Sequence, residues 1–178
     1  RLPGKGMIGI FNRSHYEEVL IPRVHPEFLE AQRLPRRVPL EQLWKERFES
    51  IRNYEHHLAR NGTLVMKFWL NISWDEQRRR FLKRLERRDK HWKFSEEDVR
   101  EREHWPDYMQ AYEAMLRATS RDWAPWYAIP ADDKPFARHL VASLIVDCLS
   151  QLELNYPKPD QAMLEHFESL KTLLHNQD

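Results

Sequence analysis

Residues 7–20 read MIGIFNRSHYEEVL. An apolar run, Met7-Ile8-Gly9-Ile10-Phe11, stops at Asn12-Arg13-Ser14-His15-Tyr16-Glu17-Glu18, and Val19 and Leu20 follow directly. The run is apolar on both faces, as is the stretch from Thr63 to Asn71, and such runs suit buried parallel strands. Trp126-Tyr127-Ala128-Ile129 makes a third. Between the first two lies a helical pattern that opens at Pro39, runs through Leu43, Trp44, Phe48, Ile51, Tyr54 and Leu58, and closes at Asn61-Gly62. Strand, helix, strand is the crossover unit of a parallel sheet. The expected class is α/β, helix-rich, with a parallel sheet.

Further along, Ser73 and Glu76 have the spacing of a capping box and start a helix expected to reach about Arg88. Ser95-Glu96-Glu97-Asp98 opens a short helix with acidic residues at its positive end. From Trp105 to Thr119, Tyr108, Met109, Tyr112, Met115 and Leu116 recur at helical spacing. Asp133-Lys134-Pro135 begins an amphipathic helix through Phe136, Leu140, Leu144, Ile145, Cys148 and Leu152. After a spacer at Tyr156-Pro157-Lys158-Pro159, Met163, Phe167, Leu170 and Leu174 mark a last helix. The chain is divided as 1–156, one α/β domain, and 157–178, a terminal helix. Gly4-Lys5-Gly6 precedes a strand instead of following one, so it reads as a turn and not a phosphate loop.

The chain has 178 residues, 41% hydrophobic and 12% aromatic, enough for one sizeable core. Its net charge of +1 advertises no polyanion, so any such signal must lie in how the 32% of charged residues are distributed. Cys148 is the only cysteine and sits among Leu144, Ile145, Val146 and Leu149, which suits a small core side chain in a reducing compartment. Disulfides and cysteine-based metal sites are excluded. No run approaches the roughly 20 apolar residues of a membrane span, so a cytoplasmic protein with no membrane partner is expected. The histidines show neither HExxH nor paired zinc spacing.

Charge is unevenly placed. At the carboxyl end of the first apolar run, Ser14, Glu17 and Glu18 suit the start of a helix, but Arg13 there is electrostatically misplaced unless an anion is near. Between Gln77 and Phe94 stand Arg78, Arg79, Arg80, Lys83, Arg84, Arg87, Arg88, Lys90 and Lys93 against only Glu86 and Asp89. Arg80, Arg84 and Arg87 or Arg88 share a helical face, where like charges repel by a few tenths of a kcal/mol per pair. A bound polyanion would relieve that repulsion; a solvated face neutralised by Glu96, Glu97 and Asp98 is the plainer reading. Phe81, Trp92 and Phe94 are too few aromatics for a base-stacking platform, which argues against nucleic acid.

Three ordered blocks then carry a resemblance. GIFNRSHYEEVLIPRVHPE (9–27), DEQRRRFLKRLERRDKHWKFSEEDVREREHWPDYMQAYEAMLRATS (75–120) and APWYAIPADDKPFARHLV (124–141) resemble the central and carboxyl-terminal parts of the polyphosphate kinase 2 family. The resemblance covers about residues 3–152. It implies a P-loop kinase core like that of thymidylate kinase, a helical lid over about 74–104, and phosphoryl transfer between inorganic polyphosphate and adenine or guanine nucleotides of the AMP/ADP class. The family's Walker A loop has no counterpart in these residues, so the expectation is a core truncated at its N-terminus, inactive by itself. Many members carry Asp where this chain has Asn12; those with Asn-Arg-Ser-His-Tyr are associated with AMP as well as ADP.

Carried onto this sequence, the resemblance implies a catalytic group of Arg13, Glu17, Glu18 and Asn12, with Glu18 or Glu17 holding Mg²⁺. Arg80, Arg84, Lys90 and Lys93, with Arg23 as a weaker candidate, would grip polyphosphate, and Asp132, Asp133 and Lys134 would approach the nucleotide. Trp92, Trp105, Tyr108 and Trp126 are expected as core packing, and a homo-oligomer is expected. Two alternatives stand beside this reading. One is a nucleoside or nucleotide kinase of the same fold using NTP as donor; the other is a non-catalytic polyphosphate-binding fragment.

Overall fold

A computed structural model describes residues 2–152 and 154–176, leaving the side chain of Lys93 undescribed. A 3-10 helix, His15–Val19, is followed by two single-turn helices, α1 (Ile21–Val24) and α2 (Phe28–Ala31), and the long α3 (Leu40–Arg60). Strand β1 (Lys67–Asn71) leads into α4 (Trp74–Leu85), a 3-10 turn (Arg88–Lys93), α5 (Glu96–Arg100) and a second 3-10 turn (Glu101–His104). Then come α6 (Trp105–Thr119), β2 (Trp126–Pro130), α7 (Lys134–Ser150) and α8 (Gln161–His175). The residues fall into two compact units, 1–140 and 141–178.

β1 and β2 pair in parallel, Lys67 opposite Trp126 through Asn71 opposite Pro130, so the parallel pair joins the second and third apolar runs and not the first and second as expected. The α/β class with a parallel sheet and a helical majority is therefore present. Two strand expectations fail. Met7–Phe11 pairs with no strand among the described residues, and Ile10 is 89% exposed. An extended run becomes a strand only when a neighbour accepts its ladder, which apolarity cannot supply. The second run pairs only from Lys67 on, and Leu64 and Leu70 are exposed, because a sheet of two strands has two edges. Trp92 is 78% exposed and not core; α4 ends at Leu85 instead of Arg88, and α7 at Ser150.

Local signals were otherwise followed closely. α3 closes in a Schellman arrangement: Gly62 at φ +79° donates to the Ala59 carbonyl, and Thr63 to that of Leu58, both at 3.0 Å. Gly4-Lys5-Gly6 is a turn, with Met7 N–H bonded to the Gly4 carbonyl at 3.1 Å and Gly6 at φ +76°. The apolar faces of α3 and α6 meet the first 3-10 helix in a core of Tyr16, Val19, Leu43, Trp44, Phe48, Ile51 and Met115. In the second unit, Cys148 is a half-buried free thiol, and the apolar stripe of α8 is exposed. Among the described residues no helix is long and apolar enough to cross a membrane.

Candidate functional site

Ser14 in extended conformation caps the first 3-10 helix, its Oγ accepting from Tyr16 N–H at 3.4 Å. Immediately before it, Arg13 adopts φ +70°, a left-handed backbone that costs a residue with a Cβ about 1 kcal/mol. The Arg13 side chain is 80% exposed and its Nε lies 3.4 Å from Glu17 Oε1. Glu18 turns elsewhere: Gln32 donates to its Oε2 at 2.8 Å, and Arg47 reaches both that oxygen, at 3.3 Å, and the Glu18 carbonyl. Burial, with the Glu17 charge adding, raises the Tyr112 phenol above its usual range.

Beneath this turn lies a buried polar network. The Tyr16 hydroxyl donates to Glu55 Oε1 at 2.6 Å and accepts from Lys67 Nζ at 2.8 Å. Lys67 also donates to Glu55 Oε2 at 2.6 Å and to the Thr119 carbonyl at 3.0 Å. Trp126 Nε1 donates to Thr119 Oγ1, which itself donates to the Met115 carbonyl. Burial lowers the Lys67 ammonium while Glu55 opposes that shift, and burial together with the Glu55 bond raises the Tyr16 phenol. One cation thus joins α3, β1, the end of α6 and the turn bearing Arg13.

The carboxyl ends of β1 and β2 are tied to α4. Ser73 caps α4 by accepting from Glu76 N–H at 3.1 Å, but the reciprocal arm of the box is replaced, since Ser73 N–H donates to Asp132 Oδ1 at 2.7 Å. Freed from that role, Glu76 takes both guanidinium forks of its own helix. Arg79 binds it at 2.6 and 2.8 Å and Arg80 at 2.6 Å. Arg80 also donates to the Ala131 carbonyl at 2.5 Å, so one side chain of the basic face is fastened to the end of β2. Arg84 lies 3.8 Å from Asp98, and Arg87 is paired with Asp89. Part of the crowded charge is therefore neutralised locally. Among the described residues no carboxylate pairs with Lys90, while Lys93 was expected at this site and its side chain lies outside the described ones.

The remaining expected residues fall in different places. Arg23 packs over Trp44 and Phe48 at 5.6 and 5.8 Å from their ring centres, with its Nη1 buried and unbonded. Asp133 caps α7 through Phe136 N–H at 2.8 Å, and Lys134 begins that helix. A cavity of about 350 Å³ opens at the carboxyl end of β1, lined among others by Trp69, Asn71, Gln77, Glu101, Trp105 and Tyr108. Gln77 of α4 and Tyr112 of α6 also line it, whereas Arg13 and Arg80 do not.

The polyphosphate kinase 2 family profile matches residues 1–157, most of the chain. The chain belongs to the polyphosphate kinase 2 family. An ADP-polyphosphate phosphotransferase of Rhodopseudomonas palustris is 49% identical over 162 residues, 90% of this chain and 56% of that protein. An AMP/ADP-polyphosphate phosphotransferase of Meiothermus ruber is 42% identical over 91% of this chain and 57% of that one. The crystal structure of polyphosphate kinase 2 from Arthrobacter aurescens superposes with a TM-score of 0.82 at 38% identity, covering 96% of this chain and 56% of that one. The chain spans a little over half the length of these relatives.

For a polyphosphate kinase 2 chain the donor set can be weighed against Mg²⁺. Among the described residues no three His, Cys, Asp or Glu side chains group to enclose a metal. Mg²⁺ takes one or two carboxylates and fills its octahedron with phosphate oxygens and water, a demand that Glu17, half-buried beside Arg13, fits. Glu18 fits it less well, because Arg47 and Gln32 already hold its Oε2.

Three groups were missed in the sequence. Lys67 interrupts an apolar run and Glu55 sits on the apolar face of α3 between Ile51 and Leu58, so a charge out of place was the available signal for both. His25 was the third. Its Nε2 lies 3.0 and 3.1 Å from the two Glu101 oxygens and its Nδ1 3.2 Å from Glu27, with Phe28, His104 and Tyr108 around the ring. Tyr108 also donates to Glu101 at 2.9 Å. Burial pulls the imidazolium down, but the Glu101 and Glu27 bonds prevail and His25 is raised above its usual value. Its stabilisation is complete below about pH 6.5 and is lost as pH rises through the elevated folded value. Thermal melts of wild type and His25→Asn should differ most near pH 6, by about 1–2 kcal/mol, and converge as pH rises past the raised folded value. A difference independent of pH would remove the ionic reading of this contact.

Proposed function

We propose that this protein transfers phosphoryl groups between inorganic polyphosphate and a nucleoside mono- or diphosphate, adenine or guanine, of the AMP/ADP class. The observation that carries the reading is the Arg13 turn: an exposed guanidinium in a strained backbone, beside Glu17 and above a buried polar platform. Phosphoryl transfer needs positioning and charge neutralisation more than covalent chemistry from the protein. Arg13 binds the oxygens of the transferred group, and Asn12 offers an uncharged oxygen beside it. Glu17, with Glu18 as a second carboxylate, holds Mg²⁺, which neutralises charge on the phosphates when bound. Residues 74–104 form the lid, with Arg84, Lys90 and Lys93 gripping the phosphate chain and Arg80 fastening the lid helix to the end of β2. Asp132, Asp133 and Lys134 border the nucleotide. Nucleotide substrates place the enzyme in the cytoplasm, and the exposed stripe of α8 supports a homo-oligomer.

The test is a donor comparison on the protein as the cell makes it. ADP or ATP should form from AMP or ADP with polyphosphate and Mg²⁺. Turnover with ATP and a nucleoside, but none with polyphosphate, would replace this reading by an NTP-dependent kinase; binding without any turnover would leave a polyphosphate-binding protein. Arg84→Glu with Lys90→Glu should weaken polyphosphate binding at least tenfold at low salt and flatten its salt dependence by roughly one unit of log K per log salt or more, by the counterion-release logic of phosphate-chain contacts. Titration by fluorescence anisotropy with end-labelled polyphosphate reads this, and unchanged affinity would make the basic face merely solvated.

A further inference from the structure

We infer that Glu55 and Lys67 are positioning residues, which hold the Tyr16 hydroxyl and through it set where Arg13 meets a phosphate chain. The inference rests on the reading of Arg13 as a phosphate-binding group.

Three observations carry it. The first is strain: Arg13 holds φ +70° although its own side chain is exposed and its ion pair with Glu17 spans 3.4 Å. Such a conformation persists only where the surroundings determine it. The nearby Ser14 cap, at 3.4 Å, is long, so the firm tie is Tyr16, three residues on and 5% exposed. The second is the completeness of that tie. The hydroxyl uses its proton on Glu55 and a lone pair on Lys67, at 2.6 and 2.8 Å, while its ring lies edge-on to Trp126 at 4.8 Å. Lys67 directs its three protons to Tyr16, Glu55 and the Thr119 carbonyl, an arrangement with one geometry only.

The third is energetic. A buried ion pair is a poor device for stability, because well-packed apolar residues of similar volume often do as well or better. Glu55 stands on the apolar face of α3, where a leucine would continue the core of Phe48 and Ile51. What an apolar pair cannot do is bind a hydroxyl in a fixed direction. The network thus explains why charge lies under this turn, and it connects the turn rigidly to β1, whose carboxyl end borders the cavity.

Tyr16→Phe tests the inference, since it keeps the ring and leaves Lys67 paired with Glu55. Amide exchange followed by NMR should quicken about tenfold at residues 13–16 and stay unchanged within α3 and β1. In the protein as the cell makes it, kcat for polyphosphate-dependent transfer should fall at least tenfold with the nucleotide KM within twofold. The double variant Glu55→Leu with Lys67→Met should behave alike while melting as a folded protein. Unchanged exchange at 13–16, or faster exchange with unchanged kcat, overturns the positioning role. If wild type transfers nothing from polyphosphate, the functional reading fails instead, and the exchange result still decides whether Tyr16 holds the turn. A merely structural role would slow turnover only in step with a general loss of protection across α3 and β1.

Discussion

Arg13→Gly is expected to lower polyphosphate-dependent transfer by about 10²–10³-fold while leaving thermal stability unchanged or slightly raised. The two effects separate because the residue has two properties. Its guanidinium supplies charge where charge develops on the transferred group, whereas Arg47 is committed to Glu18 and Gln32, and Arg80 to Glu76 and Ala131. Its backbone sits at φ +70°, which glycine adopts without the Cβ penalty. Stability traded for a charged side chain in a strained turn is the pattern of a functional position. Initial rates and melting curves on one preparation read both effects. Full activity in Arg13→Gly would remove Arg13 from the chemistry, and a large fall in melting temperature would show that its side chain is structural.

The second large effect is on stability. Glu55→Ala leaves the Lys67 ammonium buried without its carboxylate, and should cost about 3–5 kcal/mol, whereas Glu55→Leu with Lys67→Met should cost less, about 1–3 kcal/mol, because it removes both charges and leaves only the buried Tyr16 hydroxyl and Thr119 carbonyl without them. The sign of the pH dependence follows from the same desolvation. Burial already lowers Lys67, and removing Glu55 takes away the bond and charge that oppose the shift. In the window between the depressed folded value and about 10.4, the unfolded chain binds more protons, so the deficit of Glu55→Ala should shrink as pH rises from 7 towards 10. Urea denaturation across that range reads it. Equal losses in the single and double variants would mean that the site needs its charges for stability.

The helices were legible because their signals are local. Periodicity placed α3 and α6 within a residue or so, Asn61-Gly62 placed the end of α3, and Ser73 placed the start of α4. Half of the Ser73 capping box was legible in the same way. Its other half was not, because the partner of Ser73 N–H is Asp132, distant in sequence and brought near only when β2 pairs with β1. The basic run shows the same division: composition revealed the cations, while geometry assigned Arg80 to a strand end, Arg87 to Asp89 and Arg84 to the vicinity of Asp98.

Pattern in the chain was sufficient for the class, for the extents of α3 and α6, for the family, and for the exposed turn at Asn12-Arg13-Ser14 as a place of interest. It was insufficient for whether Met7–Phe11 pairs, since a ladder needs a second strand and apolarity describes only the first. It was equally insufficient for Glu55, Lys67 and His25, whose roles depend on partners between 2 and 76 residues away. Spacing along one helix or strand is a property of neighbours, but a buried charge is tolerated or not according to what the folded chain places within 3 Å of it.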